Sequence, residues 1–158
     1  MESTLRYYYN NKGSKPVVSV RINDVPLRAL IDTGAYDVIW CSNNDNLFAK
    51  CGLHFLASSN ERIKGITGST SGCRLYQASL SIGDFNWDRI FIRENRKEIV
   101  NTKFDIILGV SLFTELNLKF MPRYNMLKIE SLANKREQEM YIDTSSKAGK
   151  ELVQFLVD

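Results

Sequence analysis

The residues best suited to chemistry in this sequence are Asp32, Thr33 and Gly34, which stand between two apolar runs in the stretch LRALIDTGAYDVIW (27–40). Glycine allows a sharp bend and the close approach of a neighbouring chain, and threonine can lock the bend by hydrogen bonding. The apolar flanks would bury the base of such a loop. The pattern therefore predicts a rigidly held, partly dehydrated carboxylate, although an ordinary turn would use the same residue types.

Few other residues in the sequence could carry chemistry. The single histidine, His54, would have to supply the only base of a serine or cysteine hydrolase, and a lone histidine is more often structural. The three cysteines, Cys41, Cys51 and Cys73, are odd in number and lack the C-x-x-C spacing of a zinc site. We therefore expect reduced thiols, no metal and no cofactor.

Composition and charge exclude several classes of function. The chain of 158 residues is 44% hydrophobic and 25% charged, as expected for one globular domain. Its net charge of +3 and its lack of a long basic run argue against nucleic-acid binding. Because the sequence has no secretory signal core and no apolar stretch of transmembrane length, we expect no membrane association and a cytoplasmic location.

Most segments of the sequence are typical of β-strands. Apolar and β-branched runs bounded by turn residues predict strands at 17–22, 26–31, 38–40, 87–94, 104–109 and 124–130. Residues 61–85 predict a hairpin with a glycine-rich, flexible tip. Short helices are expected near 46–50 and at 110–120, the second with Ser111 as a candidate cap. Many strands and few helices indicate a mostly β domain, either a barrel or a sandwich.

The segment ALIDTGA (29–35) resembles the active-site signature of the retropepsin-like aspartic proteases. In that family the signature follows a strand, a turn and a second strand, and a glycine-rich flap hairpin comes after it. An apolar-apolar-glycine strand end then leads into a short helix, and the sequence IILG (106–109) matches that element. The predicted elements occur in the same order, so the resemblance covers about residues 16–130.

The resemblance implies a mostly β fold: a retropepsin-like closed β-barrel with a flap hairpin and one short helix, plus a C-terminal helical extension. The protease domain would span residues 16–130 and follow a polar N-terminal arm at residues 1–15. The extension at residues 131–158 begins with a charged segment, and apolar side chains recur at helical spacing near its end, which predicts a helix packed on the domain. This extension could instead mediate dimerisation, cover the site or bind a partner.

The resemblance also implies roles for individual residues. The catalytic residues would be Asp32, Thr33 and Gly34. Substrate would contact residues of the loop and of the flap, namely Ala35, Asp37, Ile66, Thr67, Gly68 and Ser69. A structural support under the catalytic loop would come from Ile107, Leu108 and Gly109. The chemistry of this family needs no metal ion and no cofactor.

An aspartic dyad needs two carboxylates, and the sequence contains one Asp-Thr-Gly. Asp143 is followed by Thr-Ser instead of Thr-Gly, and Asp105 lacks both residues. The resemblance therefore implies a homodimer in which Asp32 of each chain meets its copy at a two-fold axis. The pair would share one proton and activate a water molecule for attack on an extended peptide.

Two features of the sequence depart from the family pattern. Tyr36 stands where the family commonly has a small or polar residue, and the flap sequence is rich in serine and threonine. Together with the C-terminal extension, they leave open a non-catalytic peptide-binding or dimerisation module on the same fold. A third interpretation is a structural β-barrel in which the Asp-Thr-Gly is only a turn.

Overall fold

The computed structural model describes residues 1–8, 15–59, 63–65, 68–70, 73–94 and 103–132. Within this part of the chain the strands are β1 (Glu2–Arg6), β2 (Val17–Ile22), β3 (Val25–Ile31), β4 (Val38–Trp40), β5 (His54–Ser59), β6 (Ile63–Gly65), β7 (Gly68–Thr70), β8 (Cys73–Ile82), β9 (Phe85–Glu94), β10 (Ile106–Leu108), β11 (Leu116–Met121) and β12 (Met126–Ser131). One α-helix, α1 (Asp45–Cys51), and two 3-10 turns, Val110–Phe113 and Pro122–Tyr124, connect them.

Six strands close into a barrel. Their order is β2-β3-β10-β4-β9-β8, and β2 pairs back with β8 at Arg21–Ser81 and Ile22–Leu80. The first hairpin, β2–β3, turns at Asn23 and Asp24, whose φ angles of 46° and 66° suit residues that tolerate the left-handed region. The mostly β, closed-barrel fold expected from the sequence is therefore confirmed.

The glycine-rich hairpin expected within residues 61–85 is formed by β6 and β7. These strands lie between β5 and the barrel strand β8 in the sequence and form a separate two-stranded sheet. Strand β5 pairs antiparallel with β8, and β6 pairs with β7 so that Gly65 faces Gly68. Of the residues expected at its tip, Gly68 and Ser69 lie in β7, whereas Ile66 and Thr67 fall outside the described residues. The action of this hairpin as a flap stays a prediction.

The N-terminal segment, expected to be a polar arm outside the domain, instead contains a strand at Glu2–Arg6. Strand β1 pairs antiparallel with β12, and β12 pairs with β11, which gives a separate three-stranded sheet. Ser3 is buried in this strand, and its hydroxyl accepts a hydrogen bond of 2.9 Å from the Asp84 amide. A partner strand more than a hundred residues away imposes this structure, and the polar local sequence carries no signal of it.

The expected helices are found only in part. Helix α1 agrees with the expectation: the Asn44 side chain caps its start, and Gly52 ends it at a φ of 59°. Residues 110–120 were expected to be helical, but only a single 3-10 turn forms there, and Ser111 does not cap it. Leu116 and the residues after it form β11, because their burial largely alternates along the chain and they pair with β12.

Among the helices of the described residues, none has the length and apolarity needed to cross a bilayer. The expected C-terminal helix falls outside the described residues.

The main hydrophobic core fills the barrel and extends to α1. Trp40 and Ile92 are fully buried on neighbouring strands. Phe48 of α1 packs edge-on against Trp40 and against Tyr76, with ring centroids 5.3 Å apart in both pairs. The helix is thereby fixed against the strand that follows the candidate catalytic loop.

Burial makes Cys41 and Cys51 poor nucleophiles. It raises the pKa of the Cys41 thiol to about 12 and that of Cys51 to about 11, from an ordinary value of 9.0. We expect iodoacetamide to alkylate both thiols at pH 8 on the order of 100-fold more slowly in the native protein than in denaturant. Mass spectrometry of the individual cysteine peptides measures this difference, and equal rates in both states would contradict it.

The same shifts predict a pH dependence of stability. A raised pKa in the folded state means that the two thiols contribute stability which is fully present below about pH 9. This contribution is lost as the pH rises through about 11 to 12. Between pH 9 and those values the thiols ionise in the unfolded chain but stay protonated in the folded one, and this favours unfolding. The free energy of unfolding should therefore fall between pH 9 and pH 11, and the fall should be smaller in Cys41→Ala.

Candidate active site

The candidate catalytic loop is tied to itself and to the neighbouring strand by backbone hydrogen bonds. The amide of Asp32 donates to the carbonyl of Leu108 at 3.1 Å, and the amide of Ala35 donates to the carbonyl of Asp32 at 3.1 Å. Oδ1 of Asp32 accepts from the Gly34 amide at 2.9 Å. A Cβ atom at Gly34 would lie only 3.2 Å from this oxygen. The loop therefore fixes its own carboxylate, and glycine gives the carboxylate room.

The other side of this loop is open. Asp32 is half-buried, whereas Thr33 and Gly34 are exposed. Within the described part of the chain, Oδ2 of Asp32 has no hydrogen-bond partner, so one carboxylate oxygen is free to hold water or substrate. The arrangement can place a carboxylate with a fixed orientation at a surface that another chain can approach.

Strand β10 lies between the two strands that flank the loop. It runs parallel to β3, with Leu108 opposite Ile31, and antiparallel to β4, with Ile107 opposite Ile39. The loop must therefore cross the end of β10 on its way from β3 to β4. All three residues of β10 are buried, as expected for a central strand covered on both faces.

Gly109 allows the loop to cross this strand end closely. The amides of Val110 and Ser111 donate to the carbonyls of Ala35 and Tyr36 at 2.8 and 3.1 Å. A Cβ atom on Gly109 would lie 2.5 Å from the carbonyl carbon and oxygen of Tyr36 and would also clash with the Asp37 carbonyl. The structure thus places Leu108 and Gly109 directly against the candidate catalytic loop.

The strands around the loop are apolar on both faces. One face joins the main core through Ala29, Ile31, Val38, Trp40, Ile106 and Leu108. The opposite face forms a second cluster, which consists of Val17, Leu30, Ile39, Cys41, Phe104 and Ile107. Ala35 packs against this second cluster, so the loop itself borders an apolar surface.

Asp37 and Tyr36, on the far side of the loop, differ in their surroundings. The Asp37 carboxylate lies 3.1 Å from Nε of Arg93, and both side chains are partly exposed. Such a pair contributes at most about 1 kcal/mol to stability. The Tyr36 side chain is 71% exposed and points away from the core. An exposed aromatic side chain and an ion-paired carboxylate therefore follow the candidate catalytic loop.

Asp105 has a role that the sequence did not reveal. It is buried, and its Oδ2 accepts from the Arg28 amide at 2.9 Å while its Oδ1 lies 3.2 Å from Nη2 of Arg28. Its carbonyl accepts from the amides of Cys41 and Ser42. These bonds join the start of β10 to β3 and to the end of β4. No local signal could have identified this pair, because its members are 77 residues apart.

The other candidate groups are not brought to the loop. His54 lies in β5 and is exposed, and no group of three or more histidine, cysteine or acidic residues suited to a metal occurs among the described residues. Gly68 and Ser69 belong to the β6–β7 hairpin, and Asp143 falls outside the described residues. The carboxylate of Asp32 is thus the chemical group that this loop presents.

A comparison with protein-family models shows which family has this sequence pattern. The sequence model of a family described as aspartyl protease matches residues 18–112, which is more than half of the chain. The chain belongs to the aspartyl protease family. The match includes the candidate catalytic loop and extends through the strand and turn that support it. No relative was found among curated protein sequences.

Solved structures agree with this membership at the level of the fold. The aspartyl protease chain is similar to a retropepsin-like aspartic protease from Rickettsia conorii, with a TM-score of 0.54 and 15% identity over 82% of this chain and 90% of that one. It also resembles EIAV protease in complex with the inhibitor HBY-793, with a TM-score of 0.46 and 21% identity over 66% of this chain and 88% of that one. The first of these similarities shows that the fold is retropepsin-like.

The close contact at Gly109 predicts a strong effect of one added methyl group. Gly109→Ala should lower the free energy of unfolding by about 3 kcal/mol, because its Cβ meets fixed backbone and the loop must move. Gly52→Ala is the matched control, since its Cβ meets nothing within 4 Å and it incurs only the positive-φ penalty of about 1 kcal/mol. Urea denaturation of both variants measures the difference, and equal losses would contradict the proposed crossing constraint.

Proposed function

We propose that this chain is an aspartic endopeptidase that acts as a homodimer on extended peptide segments. The observation that carries the proposal is the Asp32 carboxylate, with Oδ1 held by the Gly34 amide and Oδ2 without a hydrogen-bond partner in the described residues. Membership of the aspartyl protease family supports this assignment. Thr33 and Gly34 complete the proposed catalytic loop.

The proposed reaction uses two copies of Asp32 that face each other with a water molecule between them. Two carboxylates at such short range cannot both ionise easily, so the pair retains one proton. The ionised member removes a proton from the water as its oxygen attacks the scissile carbonyl carbon. The protonated member donates its proton to the carbonyl oxygen, and breakdown of the tetrahedral intermediate then releases the amine and the acid.

The surroundings of Asp105 and Asp37, which lie next to β10 and to the candidate catalytic loop, favour a dimer over a site within one chain. Asp105 is buried in its bonds to Arg28, and Asp37 is paired with Arg93. Neither has the loop geometry that orients Asp32. A second copy of the same chain would supply an equivalent carboxylate by symmetry, and the exposed Thr33 would donate across the two-fold axis of that dimer.

The proposed substrate is an extended peptide with apolar side chains near the scissile bond. The apolar cluster that Ala35 borders favours such side chains. A peptide laid between the loop and the β6–β7 hairpin would bind as an added strand, with main-chain hydrogen bonds and alternating side-chain contacts. We assign substrate contacts to Ala35, Asp37, Ile66, Thr67, Gly68 and Ser69 on this basis.

The central test is the substitution Asp32→Asn. We expect it to abolish cleavage of a diverse peptide mixture between about pH 4 and pH 7, where a dyad with one shared proton should be active. The fold should persist, because the asparagine carbonyl oxygen can still accept from the Gly34 amide. Mass spectrometry of the peptides identifies the cuts, and circular dichroism checks the fold.

The matched control for this substitution is Asp88→Asn, which makes the same chemical change at an exposed position of β9. It should leave the pattern of cuts unchanged. Cuts that survive Asp32→Asn would refute the proposed mechanism. Peptide binding without any cut by the wild-type dimer would instead support a non-catalytic module.

A mixing experiment tests whether two chains share one site. When equal amounts of wild type and Asp32→Asn are unfolded and refolded together, random pairing leaves about one quarter of the dimers with two aspartates. The activity should therefore fall to about one quarter of that of the same total amount of wild-type chain. A fall to one half would mean that each chain carries a complete site.

A further inference from the structure

A groove of about 570 Å³ lies immediately beside the candidate catalytic loop. Tyr36 and Asp37, which follow that loop, form part of its wall. The other parts of the wall come from β9 and from residues 111–116, which lead from β10 into β11. Binding sites for ligands commonly have volumes of about 300–1,000 Å³. The groove is therefore large enough to hold a ligand next to the loop that carries Asp32.

The groove follows the edge of β9 and not one of its faces. Successive side chains of a strand point to opposite faces, so a groove on one face would be lined by every second residue. Six of the seven residues at positions 85–91 line this groove, Asp88 being the exception. They include neighbours on opposite faces, such as the buried Ile90 and the exposed Phe91. Only the edge of the strand borders the side chains of both faces.

This part of β9 has a neighbouring strand on one side only. Strand β8 pairs with β9 from Phe85 to Glu94. Strand β4 lies on the other side and pairs with residues 92–94 alone. Within the described residues, no strand pairs with positions 85–91 on that side, and no loop backbone bonds to them. Backbone N–H and C=O groups therefore point into the groove without partners over roughly 20 Å, which makes this edge a template for another strand.

The path of the chain opens this space in the sheet. Strand β4 starts at Val38 and pairs with β9 from there on. The chain before it departs from β9, since the carbonyl of Tyr36 accepts from the amide of Ser111. A strand added along residues 85–91 would therefore lie in line with β4 and end beside the loop that carries Asp32.

The lining combines apolar surface with charged and polar groups. Phe91 and Tyr36 are 58% and 71% exposed, so two aromatic rings are accessible to a ligand. Arg89 and Glu115 also line the groove, carry opposite charges and form no ion pair within the described part of the chain. A polypeptide matches such a surface better than an apolar ligand does, because its main chain can bond to the edge of β9 while its side chains contact the walls.

We propose that the groove binds an extended polypeptide segment as an added strand on residues 85–91 of β9, with side chains against Tyr36 and Phe91. In the proposed protease this segment is a part of the substrate away from the cleaved bond, and that assignment rests on the proposed function. Binding itself needs no catalysis and is measured in Asp32→Asn, in which peptides stay intact. A failure of binding and a failure of catalysis are therefore separate results.

Photo-cross-linking tests where a peptide binds. Phe91→p-benzoylphenylalanine places a photoreactive aromatic side chain in the groove, and Tyr124→p-benzoylphenylalanine places one at a similarly exposed aromatic position outside it. Both variants are made in the full-length Asp32→Asn chain and irradiated with a library of synthetic peptides of about 12 residues, which exceed the roughly 20 Å of free edge. We expect abundant peptide adducts from position 91 and few from position 124, as measured by mass spectrometry.

Amide hydrogen exchange tests whether the peptide binds as a strand. Main-chain bonds from the peptide would protect amides of residues 85–91, which have no partner strand on the groove side in the described chain. With the most abundantly cross-linked peptide at about ten times its Kd, we expect the exposed amides of this segment to exchange about tenfold more slowly. The amides of β12 should not change, since that strand is paired on both sides and lies outside the groove.

A substitution that fills the groove provides the third arm. Thr114 is exposed and lines the groove, so Thr114→Trp should occlude it without loss of the fold. We expect about tenfold weaker peptide binding in the Asp32→Asn chain, and an about tenfold higher KM for cleavage of the long peptides when Asp32 is present. Thr4→Trp makes the same change at an exposed position of β1 outside the groove and should alter neither value.

Contrary results in the binding arms would overturn the proposal. Equal adduct yields from positions 91 and 124, or no adduct from position 91, would mean that the groove does not bind peptides. Adducts from position 91 without slower exchange at residues 85–91 would exclude an added strand. A product of twice the chain mass that becomes less abundant on dilution would show that a second copy occupies the groove. Equal effects of Thr114→Trp and Thr4→Trp would place peptide binding elsewhere.

The KM measurement separates the substrate assignment from binding. Weaker binding in Thr114→Trp with an unchanged KM would show that the bound peptide is not part of the substrate. If the chain with Asp32 cleaves no peptide, the proposed protease function fails, whereas the cross-linking and exchange results still decide whether the groove binds an added strand.

Discussion

The structure depends on the close crossing of the loop between β3 and β4 over the end of β10. Gly109 makes this crossing possible, because its Cα lies so near the carbonyls of Tyr36 and Asp37 that a side chain would not fit. Hydrogen bonds from Val110 and Ser111 to the loop carbonyls then fix the distance. The position of Asp32 follows from this contact, since its own amide is bound to Leu108 at the same strand end.

The rigidity of this crossing comes from both faces of the sheet. Side chains of β3, β4 and β10 alternate between the main core and the second apolar cluster, so neither face of these short strands is left to water. The buried pair of Arg28 and Asp105 joins the other end of β10 to β3. A carboxylate held by such a scaffold already has little orientational freedom before a substrate binds. A catalytic group requires this kind of preorganisation.

The chain orients the Asp32 carboxylate through the Gly34 amide and leaves the outer side of the loop open. In the proposed reaction the second carboxylate, the water and the substrate all come from outside the chain. The terminal sheet has a related consequence, because β1 pairs with β12 of its own chain. The two terminal strands of the described chain thus already have partners, and the contact between copies in the proposed dimer would use other edges or faces.

The sequence by itself determined the elements whose signals are local. Most of the strand pattern, the Asn23-Asp24 turn, the short helix α1 and the Asp-Thr-Gly loop depend on residues within a few positions of one another, so they could be predicted. The tertiary structure decided what depends on distant partners: the pairing of β1 with β12, the strand instead of a helix at Leu116–Met121, and the bond between Arg28 and Asp105. Long-range pairing overrides local propensity because an unpaired buried backbone group or carboxylate costs more free energy than a weak local preference supplies.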